Sequence, residues 1–297
     1  MSAGERVGTV AAVWRFAVKS MLGEQLAAAK VGDGGIVGDR AYALVDRETG
    51  KVVSAKHPSK WAGVLACRAR FVAEPVAGED PPPVRIDLPD GSSVTSDAPG
   101  ADAVLSGFLG REVALAAAAR NGYTIDQYHP DVPGLDPEGR RDEVAEIRVG
   151  AAFFDERGLP SAVSPESFFD LFPLSVITTS TLDRLGELQG QGSVDARRFR
   201  MNVVVDTPPG GFVENDWVGR GLELGDGVRL AVAMLDPRCV MPSLAQPGLP
   251  RDTDVLRALA RHNRLDVGGG AHLPCAGVYA LAQAGGTVRT GDEVRLR

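Results

Sequence analysis

Cysteine is scarce in this sequence, and the few cysteines lie far apart. The 297 residues contain three, Cys67, Cys239 and Cys275, and no two of them form a CxxC pair. Zinc ribbons and cysteine-ligated iron–sulfur clusters need more thiols at closer spacing. The sequence therefore argues against both kinds of metal centre.

Long apolar segments and an excess of positive charge are also missing. No uninterrupted apolar run reaches the roughly 18 residues of a membrane-spanning helix, and the start lacks a basic segment followed by an apolar one. The formal net charge is −7, whereas non-specific binding to nucleic acid or to anionic membranes needs a basic surface. We expect a cytoplasmic protein with reduced thiols that binds neither nucleic acid nor membrane.

The patterns that are present are those of a β-rich protein of about two domains. A hairpin is predicted around the Pro89-Asp90-Gly91 turn, and a second one over the tail at 278–296. Helical spacing is confined to short segments at 101–109, 180–188 and 252–262. No strand–helix alternation occurs, so we predict a mainly β fold with a few short helices (α+β) and β-barrel architecture.

The organisation along the chain suggests three parts. Residues 1–120 are expected to form an N-terminal β-barrel-like domain and residues 166–297 a second barrel domain. Residues 121–165 are rich in Asp, Pro, Gly and Arg, which is typical of a long surface loop or a crossing between domains.

Cys239 has the most informative neighbour of the three cysteines. Arg238 precedes it at the end of a strand-like run. A cation beside a cysteine favours thiolate, the form that binds soft metals or attacks electrophiles. A single cysteine taken alone is more often an inert buried hydrophobe, so the local sequence leaves both interpretations open.

Polar residues stand at the ends of presumed strands in several places. They are Lys19 and Ser20, then Arg40, and later Arg200 and Asn202. Lysine offers a point charge, arginine a two-pronged donor, and asparagine both a donor and an acceptor. Strand ends of one barrel would bring these groups together around a phosphate, although each alone also fits a strand end in water.

Three further residues are weaker candidates. Lys56 follows another strand-like run and adds a cation. Thr178 and Thr181 stand at the start of the predicted helix at 180–188, where free backbone N–H groups favour an anion. Threonine at such a position is equally typical of plain helix capping.

Two stretches of the chain resemble a known pair of domains. The stretch at 195–239, with Arg200-Met201-Asn202, the loop at 211–219 and Arg238-Cys239, closely resembles the MOSC domain, the C-terminal module of molybdenum cofactor sulfurases. The runs at 18–21 and 35–40 resemble the N-terminal β-barrel domain that accompanies it in the amidoxime-reducing molybdoenzymes. The resemblance implies a barrel domain at 1–120, a MOSC domain at 166–297, and molybdenum cofactor (Mo-molybdopterin) between them.

The resemblance also implies roles for individual residues. A cysteine in the place of Cys239 ligates molybdenum in this family, so Cys239 is the expected metal ligand and catalytic residue. Contacts to the pterin or its phosphate are implied for Lys19, Ser20, Arg40, Thr178, Thr181, Arg200, Asn202 and Arg238. Pro237 stands where the amidoxime-reducing members have serine.

The implied activity is the reduction of small N-hydroxylated (N–O) substrates by an oxidoreductase that needs no pyridoxal phosphate. No G-x-G-x-x-G run opens a helix after a strand, so electrons are expected from a separate electron-transfer protein. The alternative is a carrier of sulfur or of molybdenum cofactor that uses Cys239 as a persulfide or docking thiolate.

Overall fold

The computed structural model describes residues 4–117 and 123–297, and these residues form a mainly β protein. Within them lie nineteen strands and four α-helices. No helix in these two ranges is long and apolar enough to cross a membrane. The predicted mainly β fold with a few short helices and barrel architecture is confirmed.

The elements are numbered along the chain. The strands before residue 150 are β1 (Glu5–Arg15), β2 (Glu24–Leu26), β3 (Ala28–Gly32), β4 (Gly35–Ile36), β5 (Ala43–Asp46), β6 (Arg68–Phe71), β7 (Val84–Asp87), β8 (Ser93–Thr95), β9 (Val113–Ala116), β10 (Thr124–His129) and β11 (Glu143–Arg148). The later strands are β12 (Leu174–Thr178), β13 (Val203–Asp206), β14 (Gly221–Leu224), β15 (Val228–Pro237), β16 (Arg264–Asp266), β17 (His272–Ala284), β18 (Gly286–Arg289) and β19 (Glu293–Leu296). The helices are α1 (Ala101–Leu109), α2 (Ala151–Asp155), α3 (Thr179–Leu188) and α4 (Asp254–His262).

Seven of the strands close into a barrel. They pair in the order β12, β13, β1, β19, β14, β15 and β17, and β17 pairs back with β12. Only the pair of β12 with β13 is parallel among the pairs that form this ring. Closure removes free strand edges, and the apolar core inside includes Val10, Val203, Leu230, Val278 and Val294.

The first strand of the chain is part of this barrel. It lies between β13, with Val13 opposite Val203, and β19, with Glu5 opposite Leu296. Residues close to both ends of the chain are therefore joined by one hydrogen-bonded ladder. The residues that follow Arg15 consequently leave from one end of the barrel.

Smaller sheets surround a second core in the first part of the chain. β5 pairs with β9, and β6, β7 and β8 form a three-stranded sheet whose β7–β8 turn is the hairpin predicted at Pro89-Asp90-Gly91. α1 spans the predicted residues and ends at Gly110, which has the positive φ of 65° that glycine adopts freely. Buried side chains of this core include Val18, Ile86 and Leu105.

The segment at 121–165 is more ordered than a long surface loop, as far as the structure describes it from residue 123 onward. β10 and β11 pair from Thr124 opposite Arg148 to His129 opposite Glu143, and α2 follows them. Most side chains of this hairpin are at least partly exposed, so its apolar alternation is weak and the sequence pattern did not indicate strands.

The predicted tail hairpin at 278–296 is wrong. β18 pairs with β3, whereas β19 pairs with both β1 and β14. The strands on either side of the turns at 285–286 and 291–292 therefore pair with other strands and not with each other. Closing the barrel leaves a gap between the edges of β1 and β14, and β19 fills it.

A buried carboxylate ties α3 to the barrel. Glu214 Oε2 accepts hydrogen bonds from the hydroxyls of Thr178 (2.7 Å) and Thr181 (2.6 Å), and Glu214 Oε1 accepts one from the backbone N–H of Gly277 (3.2 Å). Burial raises the pKa of Glu214, against the effect of the threonine hydroxyls. Three donors from separate elements thus depend on one side chain.

We expect Glu214→Ala to lower the free energy of unfolding by about 3 kcal/mol, because three buried donors lose their acceptor at about 1–3 kcal/mol each before relaxation. Urea denaturation followed by circular dichroism measures the loss. The matched control is Glu187→Ala, at an exposed position of α3, which should change stability by less than about 0.5 kcal/mol. Equal stability of the two variants would contradict the anchoring role.

Candidate functional site

A cavity of about 800 Å³ lies at the barrel end where β1 and β15 end and where β12 and β13 begin. Its volume is within the range of about 300–1,000 Å³ that is usual for small-molecule and cofactor sites. The barrel end and residues 19–56 form one wall. The β10–β11 hairpin and the segment after it form the other.

Seven of the nine predicted site residues line this cavity: Lys19, Ser20, Arg40, Arg200, Asn202, Arg238 and Cys239. Lys56 lines it as well. Lys19, Arg40 and Arg200, which are far apart in the sequence, therefore share one wall as expected. Thr178 and Thr181 do not line it.

Three residues of this wall have a strained backbone. Ser20, Arg40 and Arg200 have φ values of 68°, 48° and 58°, in the left-handed region that favours glycine. Such a conformation costs on the order of 1 kcal/mol or more for each residue and tends to cluster at functional sites. Because none of the three is glycine, their residue types do not indicate this geometry.

Arg40 and Arg200 lie on the ring of one phenylalanine. Their guanidinium carbons are 4.6 Å and 4.3 Å from the centre of the Phe16 ring, and Arg40 Nη2 donates to the Arg200 carbonyl oxygen at 3.1 Å. Arg40 also pairs with Asp39. Burial, together with the like charge of Arg40, lowers the pKa of Arg200 to about 9, so this corner of the cavity is short of negative charge.

Asn202 holds the corner in place. Its side-chain Nδ2 donates to Asp39 Oδ2 at 2.8 Å, and its Oδ1 accepts from the backbone N–H of Ser175 at 3.1 Å. The sequence suggested that this amide presents its donor and acceptor to a ligand. In the structure both groups are engaged with the protein, so Asn202 orients Asp39 and through it Arg40.

Lys19 and Lys56 share the carboxylate of Asp170. Lys19 Nζ donates to Asp170 Oδ1 and to the Phe168 carbonyl oxygen (2.7 Å), and Lys56 Nζ lies 2.8 Å from Asp170 Oδ2. Burial opposes the charge of Asp170, yet the two lysines outweigh it and hold the pKa of this carboxyl well below its usual range. Burial lowers the pKa of Lys19 despite the attraction of Asp170.

Sequence reasoning missed Asp170. It lies in the run Phe168-Phe169-Asp170-Leu171, which has no motif spacing and no partner nearby in the chain. Its partner Lys19 is 151 residues away, so only the folded chain identifies it.

Arg238 and Cys239 form the part of the wall at the end of β15. Arg238 pairs with Asp236, and its Nη2 donates to the Phe199 carbonyl oxygen at 2.8 Å. The Nε of Arg238 is buried and has no hydrogen-bond partner among the described residues. Cys239 is partly buried. Burial opposes the charges of Lys56 and Arg238, yet Asp170 and Asp236 outweigh it and raise the pKa of Lys56 and of Arg238, respectively.

The other two cysteines belong to the interior. Cys67 and Cys275 are both buried away from the cavity. Burial raises the pKa of each thiol to about 12, so both are protonated at neutral pH. Of the three cysteines, Cys239 is the one on the cavity wall.

The expectation that Thr178 and Thr181 contact a cofactor is corrected by their positions. Both are fully buried, and both hydroxyls donate to Glu214. The Thr178 hydroxyl also accepts from the backbone N–H of Thr181 at 3.1 Å, as a helix cap does. The capping interpretation, which the sequence left open, accounts for them.

We define the cationic wall as Lys19, Arg40, Lys56, Arg200 and Arg238. Three carboxylates, Asp39, Asp170 and Asp236, are paired with members of it. Two positive charges remain uncompensated even when all three carboxylates are ionised. The wall is therefore suited to an anion with several oxygens, such as a phosphate.

No group of three or more His, Cys, Asp or Glu side chains that could hold a metal ion occurs in residues 4–117 and 123–297.

The role of Asp170 as the counter-ion of Lys19 and Lys56 can be tested by measuring stability as a function of pH. We expect Asp170→Asn to lower the free energy of unfolding by about 2–3 kcal/mol at pH 7, because two largely buried lysines lose their counter-ion while the cavity leaves them some solvent. The folded-state pKa of Asp170 is depressed. The stabilisation should therefore persist from neutral pH down to about pH 4 and then fade as the pH falls further.

Urea denaturation of both proteins between pH 7 and pH 2 measures this difference. The control is Asp254→Asn, an exposed position whose partner Arg257 is also exposed. A difference between wild type and Asp170→Asn that stays constant down to pH 2 would contradict the assignment.

Two family models match the sequence. The MOSC N-terminal beta barrel domain matches residues 7–71, and the MOSC domain matches residues 165–295. Together they cover about two thirds of the chain. No curated protein matches the sequence.

Similar solved structures include the YUAD protein from Bacillus subtilis, with 13% identity, a TM-score of 0.45, and coverage of 97% of this chain and 94% of that one. Another is YiiM from Geobacillus stearothermophilus, with 16% identity, a TM-score of 0.28, and coverage of 42% and 54%. The first match includes most of β1, and the second includes all or nearly all of each of the other six strands of the closed barrel. The chain is thus a MOSC-domain protein with a MOSC N-terminal beta barrel domain, and it belongs to a family that is linked to molybdenum cofactor binding and sulfuration.

Proposed function

We propose that this protein binds molybdenum cofactor (Mo-molybdopterin) in the cavity and reduces N-hydroxylated small molecules, with Cys239 as the protein ligand of the metal. The observation that carries the proposal is that Cys239 and the cationic wall share one cavity of about 800 Å³. A pterin cofactor with a terminal phosphate needs both an anion site and room for a flat polar ring.

The residues present fit such a group. The cationic wall has two uncompensated positive charges, and Arg238 Nε is a buried donor without a partner among the described residues. Lys19, Arg40 and Arg200 would hold the phosphate and the pterin edge, with Ser20 and Arg238 beside them. Pro237 has no backbone N–H and no hydroxyl, so it cannot donate the hydrogen bonds that the serine of the amidoxime-reducing members can donate.

When bound, the cofactor would supply the exchange of two electrons and the acceptor for the substrate's oxygen atom. The protein's own part is to hold it and to shape the space around it. Cys239 offers the soft sulfur ligand. The ion pairs of the cationic wall keep the cations oriented before any ligand arrives, which lowers the cost of ordering them.

The alternative is a carrier of sulfur or of the cofactor, with Cys239 as a persulfide or docking thiolate. The partial exposure of Cys239 in a wide cavity favours it, because a carrier must present its thiol to another molecule. The segment Ser243-Leu244-Ala245-Gln246-Pro247, where the amidoxime-reducing members have Val-Asp-Pro, favours it as well.

The first test concerns the metal ligand. In a host that makes the cofactor, wild type should carry molybdenum and reduce an amidoxime or an N-hydroxylated base. Cys239→Ala should lose turnover and most of its molybdenum, because a methyl group replaces the soft ligand. Elemental analysis and an activity assay measure the two effects.

Cys67→Ala is the matched control, since that thiol is buried away from the cavity. It should keep its metal and its activity. Full turnover by Cys239→Ala would refute the molybdoenzyme assignment, and sulfane sulfur on Cys239 in protein without metal would favour the carrier.

The second test concerns the electron supply. We expect turnover with an artificial donor such as reduced viologen, and none with NADH or NADPH alone, because no dinucleotide-binding run is present in the sequence. Spectrophotometric assays measure the turnover rate with each electron donor. Steady turnover with NADPH and no second protein would contradict a separate electron-transfer partner.

A further inference from the structure

A buried histidine–aspartate pair lies on the cavity wall that faces the barrel. His129 Nδ1 is 2.9 Å from Asp136 Oδ2, and the side chains of the two residues are only 6% and 5% exposed. Both residues line the cavity. They lie outside residues 7–71 and 165–295, which the two family models match, so the family assignment gives them no role.

The aspartate is held rigidly. Its Oδ1 accepts hydrogen bonds from the backbone N–H groups of Glu138 (2.8 Å) and Arg140 (3.1 Å), and the Arg140 guanidinium lies 3.4 Å from Oδ2. An ionised carboxylate only accepts hydrogen bonds. The proton of neutral His129 therefore belongs on Nδ1, which leaves a lone pair on Nε2.

The Nε2 atom of His129 has no use within the fold. It is buried and has no hydrogen-bond partner among the described residues. A buried polar atom without a partner costs free energy. Because His129 is a residue of the cavity lining, a ligand bound there is the available source of that partner.

The pair lines the same cavity as Cys239, the proposed metal ligand. The backbone N–H of Tyr128 donates to the Lys56 carbonyl oxygen at 2.8 Å, and the Lys56 side chain reaches Asp170. The charged groups that act on His129 are Asp136, Arg140, Glu143 and Lys56. Burial is the largest influence and lowers the pKa of His129 despite the attraction of Asp136, so the ring is neutral at neutral pH and Nε2 is an acceptor.

We propose that His129 is a catalytic residue that moves a proton between the oxygen and the nitrogen of an N-hydroxylated substrate. This inference rests on the proposed function. His129 Nε2 accepts the hydroxyl proton, Asp136 stabilises the imidazolium that forms, and the same proton passes to nitrogen as the N–O bond breaks.

The proton movement balances the reaction. One O–H bond and the N–O bond break, and one N–H bond forms. The oxygen leaves as water after uptake of two electrons from the separate electron-transfer protein and two protons from solvent. His129 returns to its neutral form at the end of each turnover, so it is neither consumed nor oxidised.

The test compares His129→Gln and Asp136→Asn with wild type, all loaded with cofactor. Acid–base residues contribute about 10²–10⁴-fold to rates, so His129→Gln should lower kcat by about 10²-fold or more, with the molybdenum content and KM little changed. The kcat of Asp136→Asn should lie between that of wild type and that of His129→Gln. Added imidazole should restore part of the activity of His129→Ala.

The pH profile is the diagnostic measurement. Because His129 must be neutral to accept a proton, kcat/KM of wild type should fall on the acid side, below the usual histidine pKa of about 6.5. That fall should be absent in His129→Gln. The matched control is His262→Gln, an exposed position on α4 away from the cavity, which should keep both the rate and the profile.

A second readout does not depend on turnover. Nitrogen-15 NMR of the ring should show the proton of His129 on Nδ1 at neutral pH, and Asp136→Asn should change this. A proton on Nε2, or a wild-type profile and rate in His129→Gln, would overturn the proton-transfer role. Failure of the proposed function is a different result, because wild type itself would then reduce no N-hydroxylated substrate.

Discussion

The candidate site depends on ion pairs between its buried cations and neighbouring carboxylates. An unpaired cation in a buried position costs several kcal/mol, whereas one that keeps a carboxylate partner is tolerated. Asp170 holds two lysines, and Asp39 and Asp236 each hold one arginine. These carboxylates fix where each cation points, so the shape of the cavity follows from its ion pairs, and the excess of cations sets its preference for anions.

The barrel places these ion pairs next to one another. The ladder between β1 and β13 sets Val13 opposite Val203, and the backbone N–H of Trp14 donates to the Asn202 carbonyl oxygen at 2.7 Å. The residues after β1 and those before β13 therefore leave the barrel at the same end. The register of this ladder is fixed, because a slip of one residue would turn the strand's core side chains outward.

The two walls of the cavity have different origins. The wall with Cys239 belongs to residues that the two family models match, whereas the β10–β11 hairpin of the facing wall lies between the matched segments. A closed barrel constrains its sequence through packing and pairing, whereas a peripheral hairpin is freer to change. The common wall is suited to hold what the family binds, and the hairpin wall is where this chain can set its own chemistry.

Local sequence patterns were enough to predict features that depend on a few neighbouring residues. The β7–β8 turn and the span of α1 were predicted correctly, because turn residues and helix ends act over a few positions. Short motifs drew attention to Lys19 and Arg200, and both residues line the cavity. The ion-pair and strand-pairing partners, in contrast, could not be predicted from such patterns. Asp170 is 151 residues from Lys19, and β1 joins strands near the other end of the chain, since pairing across a closed barrel leaves no periodic mark in the sequence.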